Sequence, residues 1–177
     1  MTDRERARQY LEDYAAGQIY CFARMTIDKD QIIAFAGQFD PQPYHLDEEA
    51  AHKSVFGGLA ASGWHTAAPT MRLLVDSQFR PAHGILGVGV DELRWLRPVR
   101  PGDSLYVETE VLEVRPSKSE ADRGLIRART TTFNQSGEQV QMYVGNLLVP
   151  RRQPPARRTG GVRPPRLSAR KSGTRRK

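Results

Sequence analysis

Two stretches decide how this chain is read: Phe39-Asp40-Pro41-Gln42-Pro43-Tyr44-His45 and, eighteen residues past His45, Gly63 within Ala61-Ser62-Gly63-Trp64. Pro41 and Pro43 each fix a φ angle, and a residue that precedes proline avoids the helical region. The backbone between Asp40 and His45 is therefore stiff, and it holds a carboxylate and an imidazole at a set separation. Acid–base chemistry needs such a pair, because proton transfer requires both groups within hydrogen-bond reach of one shared atom. Gly63 then opens a segment with apolar residues at helical spacing. Free N–H groups at a helix start can face a developing negative charge.

From Ser62 onward the apolar positions are Trp64, Ala67, Ala68, Met71, Leu74 and Val75, a helical stripe that predicts a core-facing surface. Pro69 lacks the N–H that would reach the His65 carbonyl, at a typical cost of ~3 kcal/mol, so a kink or a displaced first turn is expected. His65 is expected to be exposed or satisfied by a partner. Strands follow over 84–96, 104–114, 125–134 and 139–149, the second alternating Val107, Thr109 and Val111 against Glu108 and Glu110. Asn134-Gln135-Ser136-Gly137 predicts a hairpin turn, and residues 98–103 a second turn. Gly84, Gly87 and Gly89 are in the wrong order for a dinucleotide loop, and no helix follows them.

Upstream, residues 3–14 predict a short helix ending near Gly17, and 19–27 a first strand. Asp28 and Gln31 have the spacing of a capping box for a helix carrying Ile32, Ile33, Phe35 and Ala36. Asp47-Glu48-Glu49 suit the positive end of another short helix. One long helix followed by four strands, with a strand before it, implies an α+β domain whose sheet wraps a helix.

The net charge of +7 is unevenly placed. Residues 151–177 hold eleven Lys/Arg and no Asp/Glu, which leaves sixteen Lys/Arg against twenty Asp/Glu, a net −4, in residues 1–150. The basic segment holds only Val162 and Leu167 as sizeable aliphatics, too little to offset ordering, and is expected to be disordered. Two domains of behaviour follow: 1–150 folded, 151–177 an Arg/Pro-rich tail. The single Cys21 excludes an internal disulfide. The charged N-terminus has no apolar run behind it, and no apolar stretch nears the ~20 residues that span a bilayer, so a cytoplasmic protein is expected.

The segment from Ile33 to Thr66 resembles the hydratase motif of the MaoC-like family, which includes the (R)-specific enoyl-CoA hydratases. That motif is G-D-x-N-P-x-H, then H-G at the start of a central helix. Asp40, Pro43, His45 and Gly63 match it. Gln38, Phe39, Gln42 (for Asn) and Ser62 (for His) depart from it. The resemblance implies a single hotdog domain over 1–150, a homodimer, and reversible addition of water to a trans-2-enoyl-CoA. It implies that Asp40 and His45 bridge the water and that the Gly63 N–H holds the enolate-like oxygen. Gln42, Ser62 and Trp64 are the implied substrate contacts. No metal or cofactor is implied; the coenzyme A thioester is the substrate. Arg97 and Arg100, near a turn, are candidates for its phosphates.

Two other classes stay open on sequence alone. The basic tail would give a polyanion binder a steep salt dependence, although it has no aromatic residue for base stacking. A catalytically idle hotdog subunit that binds acyl-CoA is the other. A hotdog thioesterase would need a carboxylate on the central helix, and residues 64–75 contain none.

Overall fold

The structure is a computed structural model that describes residues 8–21 and 24–152. Its strands are β1 (Ile19–Cys21), β2 (Met25–Thr26), β3 (Leu86–Trp95), β4 (Ser104–Pro116), β5 (Arg123–Phe133) and β6 (Gln139–Pro150). Its helices are α1 (Lys29–Phe39), α2 (Pro43–Leu46), α3 (Glu48–His52) and α4 (Gly63–Val75). The sheet order is β1-β4-β5-β6-β3, with β2 also on β4, and the named strand pairs are antiparallel. Residues along β4 alternate between buried and half-exposed, so Leu105, Val107 and Val111 point to one apolar layer.

Two buried clusters fill the space between helices and sheet. One joins Ile32 of α1 and Leu73 of α4 to Leu105, Val107 and Val140. The other joins Leu74 to Phe79, Val111, Ile126, Leu147 and Val149, and closes over Leu11 and Tyr14. A sheet wrapped on a central helix is the hotdog arrangement, as the α+β pattern and the motif imply. No described helix is long and apolar enough to cross a membrane.

Several local expectations are corrected. Within residues 8–14 the predicted helix is one 3-10 turn, Leu11–Asp13, because Gln9 instead bridges to Pro81. The expected first strand is two short pieces, β1 and β2, each paired with β4. α4 runs unbroken through Pro69, which is buried within it. Its inward face is His65, Thr66, Pro69, Thr70, Leu73 and Leu74. Of the predicted apolar stripe, Trp64 is 60% exposed, Met71 43% and Val75 54%, so only Leu74 meets the core. Periodicity finds the stripe but cannot say which side of the helix the sheet takes.

Of the predicted tail, Arg151 pairs with Glu12 at 3.0 Å and Arg152 with Asp13 at 2.7 Å. The rest of it, with residues 1–7, lies outside the described residues.

Candidate active site

The Asp40–His45 stretch is the junction of two helices. The capping box of α1 forms as spaced: Gln31 N–H donates to Asp28 at 2.7 Å and Asp28 N–H to Gln31 at 3.3 Å. α1 ends at Phe39, and Asp40 caps it in a non-helical conformation. Pro43 then occupies the first position of α2, where its missing N–H costs nothing. The turn therefore delivers the Asp40 carboxylate and the His45 ring to one side.

His45 is 6% exposed, and its Nδ1 lies 2.7 Å from the Ala60 carbonyl oxygen. A carbonyl only accepts, so Nδ1 carries the hydrogen and the neutral ring has its lone pair on Nε2. Nε2 sits 3.5 Å from Asp40 Oδ2. Ser62 Oγ donates to that same oxygen at 2.6 Å and accepts from the Trp64 N–H at 3.2 Å. One serine thus ties the carboxylate to the start of α4. Nε2 is therefore the ring position open to gain a proton, and it faces a carboxylate that is 24% exposed.

The Ala60 carbonyl is held by its surroundings. Ala61 N–H donates to Val99 at 2.8 Å, and Arg100 Nη1 donates to the carbonyls of Gly58 at 2.5 Å and Leu59 at 3.1 Å. Arg100 Nη2 donates to the Phe56 carbonyl. The loop can present these carbonyls to one guanidinium because Gly57 adopts φ +63 and Gly58 φ +159, which side-chain-bearing residues rarely do. Asp103 in turn accepts from Arg100 N–H at 2.7 Å. Of the two arginines named as candidates for the CoA phosphates, Arg100 donates to the loop carbonyls, and Arg97, half exposed, pairs with Glu138 at 3.3 Å.

Gly63 is required by its neighbour. A Cβ there would lie 2.6 Å from Cδ2 of the Trp95 ring, so a side chain would force the helix start and the indole apart. Its N–H precedes the i→i−4 ladder of α4. Trp95 is fixed by a chain of hydrogen bonds beneath the helix. Its Nε1 donates to Gln141 at 2.9 Å, and Gln141 Nε2 donates to Thr70 at 3.2 Å. Thr70 Oγ1 reaches the Thr66 carbonyl at 2.9 Å and Thr132 Oγ1 at 2.7 Å. Thr70 has one proton, and the carbonyl must receive it, so Thr132 donates.

The residues singled out in the sequence divide into two groups. Asp40, His45, Ser62 and Gly63 converge. Gln42 is exposed and contributes its backbone N–H to the Asp40 carbonyl at 2.7 Å. Trp64 points outward and meets Trp95 edge to face at 5.2 Å. Sequence reading missed Ala60, Trp95 and Gln141, and it named Arg100 for another role. Ala60 acts through its carbonyl, which no residue type advertises. The other three stand on strands or turns distant in sequence from the motif.

With this geometry in hand, the chain can be set beside known proteins. Residues 13–132 match the family described as MaoC like domain. The chain is 34% identical over 139 residues to the uncharacterized protein YdeM of Bacillus subtilis, covering 78% of this chain and 96% of that protein. It is 31% identical over 115 residues to the (R)-specific enoyl-CoA hydratase of Rhodospirillum rubrum, covering 62% and 74%. A crystal structure of a MaoC-like dehydratase from Rhodospirillum rubrum superposes with a TM-score of 0.79 at 55% identity, covering 82% of this chain and 99% of that one.

Proposed function

The chain belongs to the MaoC-like domain family, and from that premise we propose that it is a hydro-lyase that reversibly adds water to a trans-2-enoyl-CoA. The observation that carries this is the cluster of His45 Nε2, Asp40 Oδ2 and Ser62 Oγ beside the start of α4. Its relatives include a protein named (R)-specific enoyl-CoA hydratase.

In this reading a water molecule sits between Asp40 and His45. Its oxygen forms a bond to the β-carbon as the carbon–carbon π bond opens and its proton passes to the pair. Charge gathers on the thioester oxygen, which the Gly63 N–H and the positive end of the α4 dipole stabilise. The pair then delivers a proton to the α-carbon. One proton is taken up and one given out, so the pair returns to its starting state. With Nδ1 committed to Ala60, only Nε2 of His45 can take part. Ser62 holds the carboxylate toward that nitrogen, so its role extends beyond contact with substrate.

We further propose that the protein works as a homodimer. Leu86, Val88 and Val90 on the edge strand β3 are each more than half exposed, and at the other end of that strand Trp95 meets the exposed Trp64 of α4. An unpaired apolar edge is a liability that a second copy removes.

The test is hydration of crotonyl-CoA and longer trans-2-enoyl-CoAs. Asp40→Asn and His45→Gln should each lower turnover by about 10²–10⁴-fold, the usual contribution of a general acid or base, with folding retained. Turnover close to wild type in either variant would remove the assignment. A wild-type protein that binds acyl-CoA without hydrating it would be an idle subunit.

A further inference from the structure

Between α1 and α4 runs a groove of about 420 Å³ whose walls include Met25, Phe35, Gln38, Phe39, Ala68 and His65. Phe39 directly precedes Asp40, and His65 is the second residue after Gly63. The groove therefore lies next to the candidate site, by the end of one helix and the start of the other. Among the described residues, no charged side chain lines it.

His65 is the anomaly in this wall. It is 7% exposed, and its ring stacks on Phe35 at 4.9 Å with 12° between the planes. Its Nδ1 is sealed from solvent and has no hydrogen-bond partner among the described residues. A buried polar atom left unpaired typically costs about 1–3 kcal/mol, and such atoms concentrate where structure serves function. Burial holds the His65 pKa below its ordinary value, opposed by the charge of Asp28. The ring is thus neutral at pH 7 and carries one N–H. Placing that hydrogen on Nδ1 would bury an orphaned donor, the rarer and costlier defect, so the proton belongs on Nε2. The ring then offers one neutral donor deep in a groove whose other polar lining groups are the amides of Gln31 and Gln38.

We propose that this groove is the acyl-chain subsite and that His65 selects substrates whose chain carries a neutral oxygen: a hydroxyl, ether or carbonyl. The proposal rests on the enoyl-CoA reading of the site. A plain alkyl chain would leave the donor unpaired. A carboxylate would be desolvated with no cation in the wall to receive it.

The experiment compares kcat/KM for trans-oct-2-enoyl-CoA, its ω-hydroxy and ω-oxo derivatives, and the matching dicarboxylic thioester. Wild type should favour the neutral oxygenated chains by about tenfold or more, within the range one satisfied polar contact gives. His65→Leu should erase or invert that ratio, and His65→Gln, which keeps an N–H donor, should retain part of it. Independently of turnover, the imidazole nitrogen NMR resonances of His65 should move on titration with saturated ω-hydroxyoctanoyl-CoA and stay with octanoyl-CoA. Equal kcat/KM for plain and oxygenated chains in wild type would overturn the proposal. So would a preference unchanged in His65→Leu, preference for the carboxylated chain, or resonances that ignore the hydroxyl.

Crotonyl-CoA, too short to lay its chain along the groove, reports the hydratase reading alone. If it is hydrated but the chain comparison fails, this inference falls and that reading stands. If it is not hydrated, that reading falls, and the NMR titration still decides the groove.

Discussion

The two faces of α4 reverse the usual arrangement of a surface helix. The face turned to the sheet carries Thr66, Thr70 and His65 among its buried residues, while the face turned outward carries Trp64, Met71 and Val75. The buried hydroxyls are tolerable because Thr66, Thr70, Thr132, Gln141 and Trp95 form one connected hydrogen-bond chain. A polar network satisfied in this way fixes one position of the helix against the sheet. Among the described residues, the outward side chains Trp64, Met71 and Val75 join no such network, and Trp64 instead meets the Trp95 ring. The inner face thus holds the site in register, and the outer face is the one proposed above for association.

The largest expected effect that separates the faces lies where they meet. Gly63→Ala should push Trp95 from the helix start and lower kcat/KM for crotonyl-CoA by about 10²–10³-fold, the size of a lost oxyanion donor. Adding Trp95→Ala should recover part of that loss. An unchanged rate in the single variant would mean that the contact does not position the N–H.

Within the inner face, Thr70→Val leaves Gln141 and Thr132 without their shared partner. Denaturant unfolding should show a loss of about 1–3 kcal/mol, the cost of stranded buried polar groups. A loss below a few tenths would show that the network is ornamental to stability.

On the outer face, Met71→Glu combined with Val75→Glu should halve the mass seen by light scattering at micromolar concentration. Secondary structure by circular dichroism should stay as in wild type, because both positions are open in the single chain. A dimeric mass in this variant would move the interface elsewhere.

The smallest effect concerns pH. His65 has a folded-state pKa below the ordinary 6.5. The unfolded chain therefore binds the proton more tightly, and stability rises with pH through the interval between the two values. This contribution is complete above pH 6.5 and is lost as pH falls through the interval toward the folded-state value. Melting temperatures should fall more steeply on acidification in wild type than in His65→Leu. Parallel curves would assign the acid sensitivity to other groups.

Much of the site was legible before any coordinates. The capping box at Asp28 and Gln31 and the proline frame around Asp40 and His45 act through neighbours a few residues away. Gly63 was also in view, although its steric reason, Trp95, is thirty-two positions downstream. The strands were found from alternation, and the hairpin from Asn134 to Gly137 forms, with Gly137 at φ +76.

The sequence alone determined the periods of α4 and the strands, the stiff Asp–His junction, and the concentration of positive charge in residues 151–177. These depend on local sterics, side-chain period and composition. Only the tertiary structure decided which face of α4 is buried, because an apolar stripe reads the same whether the sheet or another protein covers it. It also decided that Arg100 binds carbonyls of the loop at 56–59, that Ala60 sets the His45 tautomer, and that His65 Nδ1 is buried with no hydrogen-bond partner among the described residues. Each joins groups far apart in the chain. Burial and hydrogen-bond pairing belong to the three-dimensional neighbourhood, which residue type and spacing do not encode.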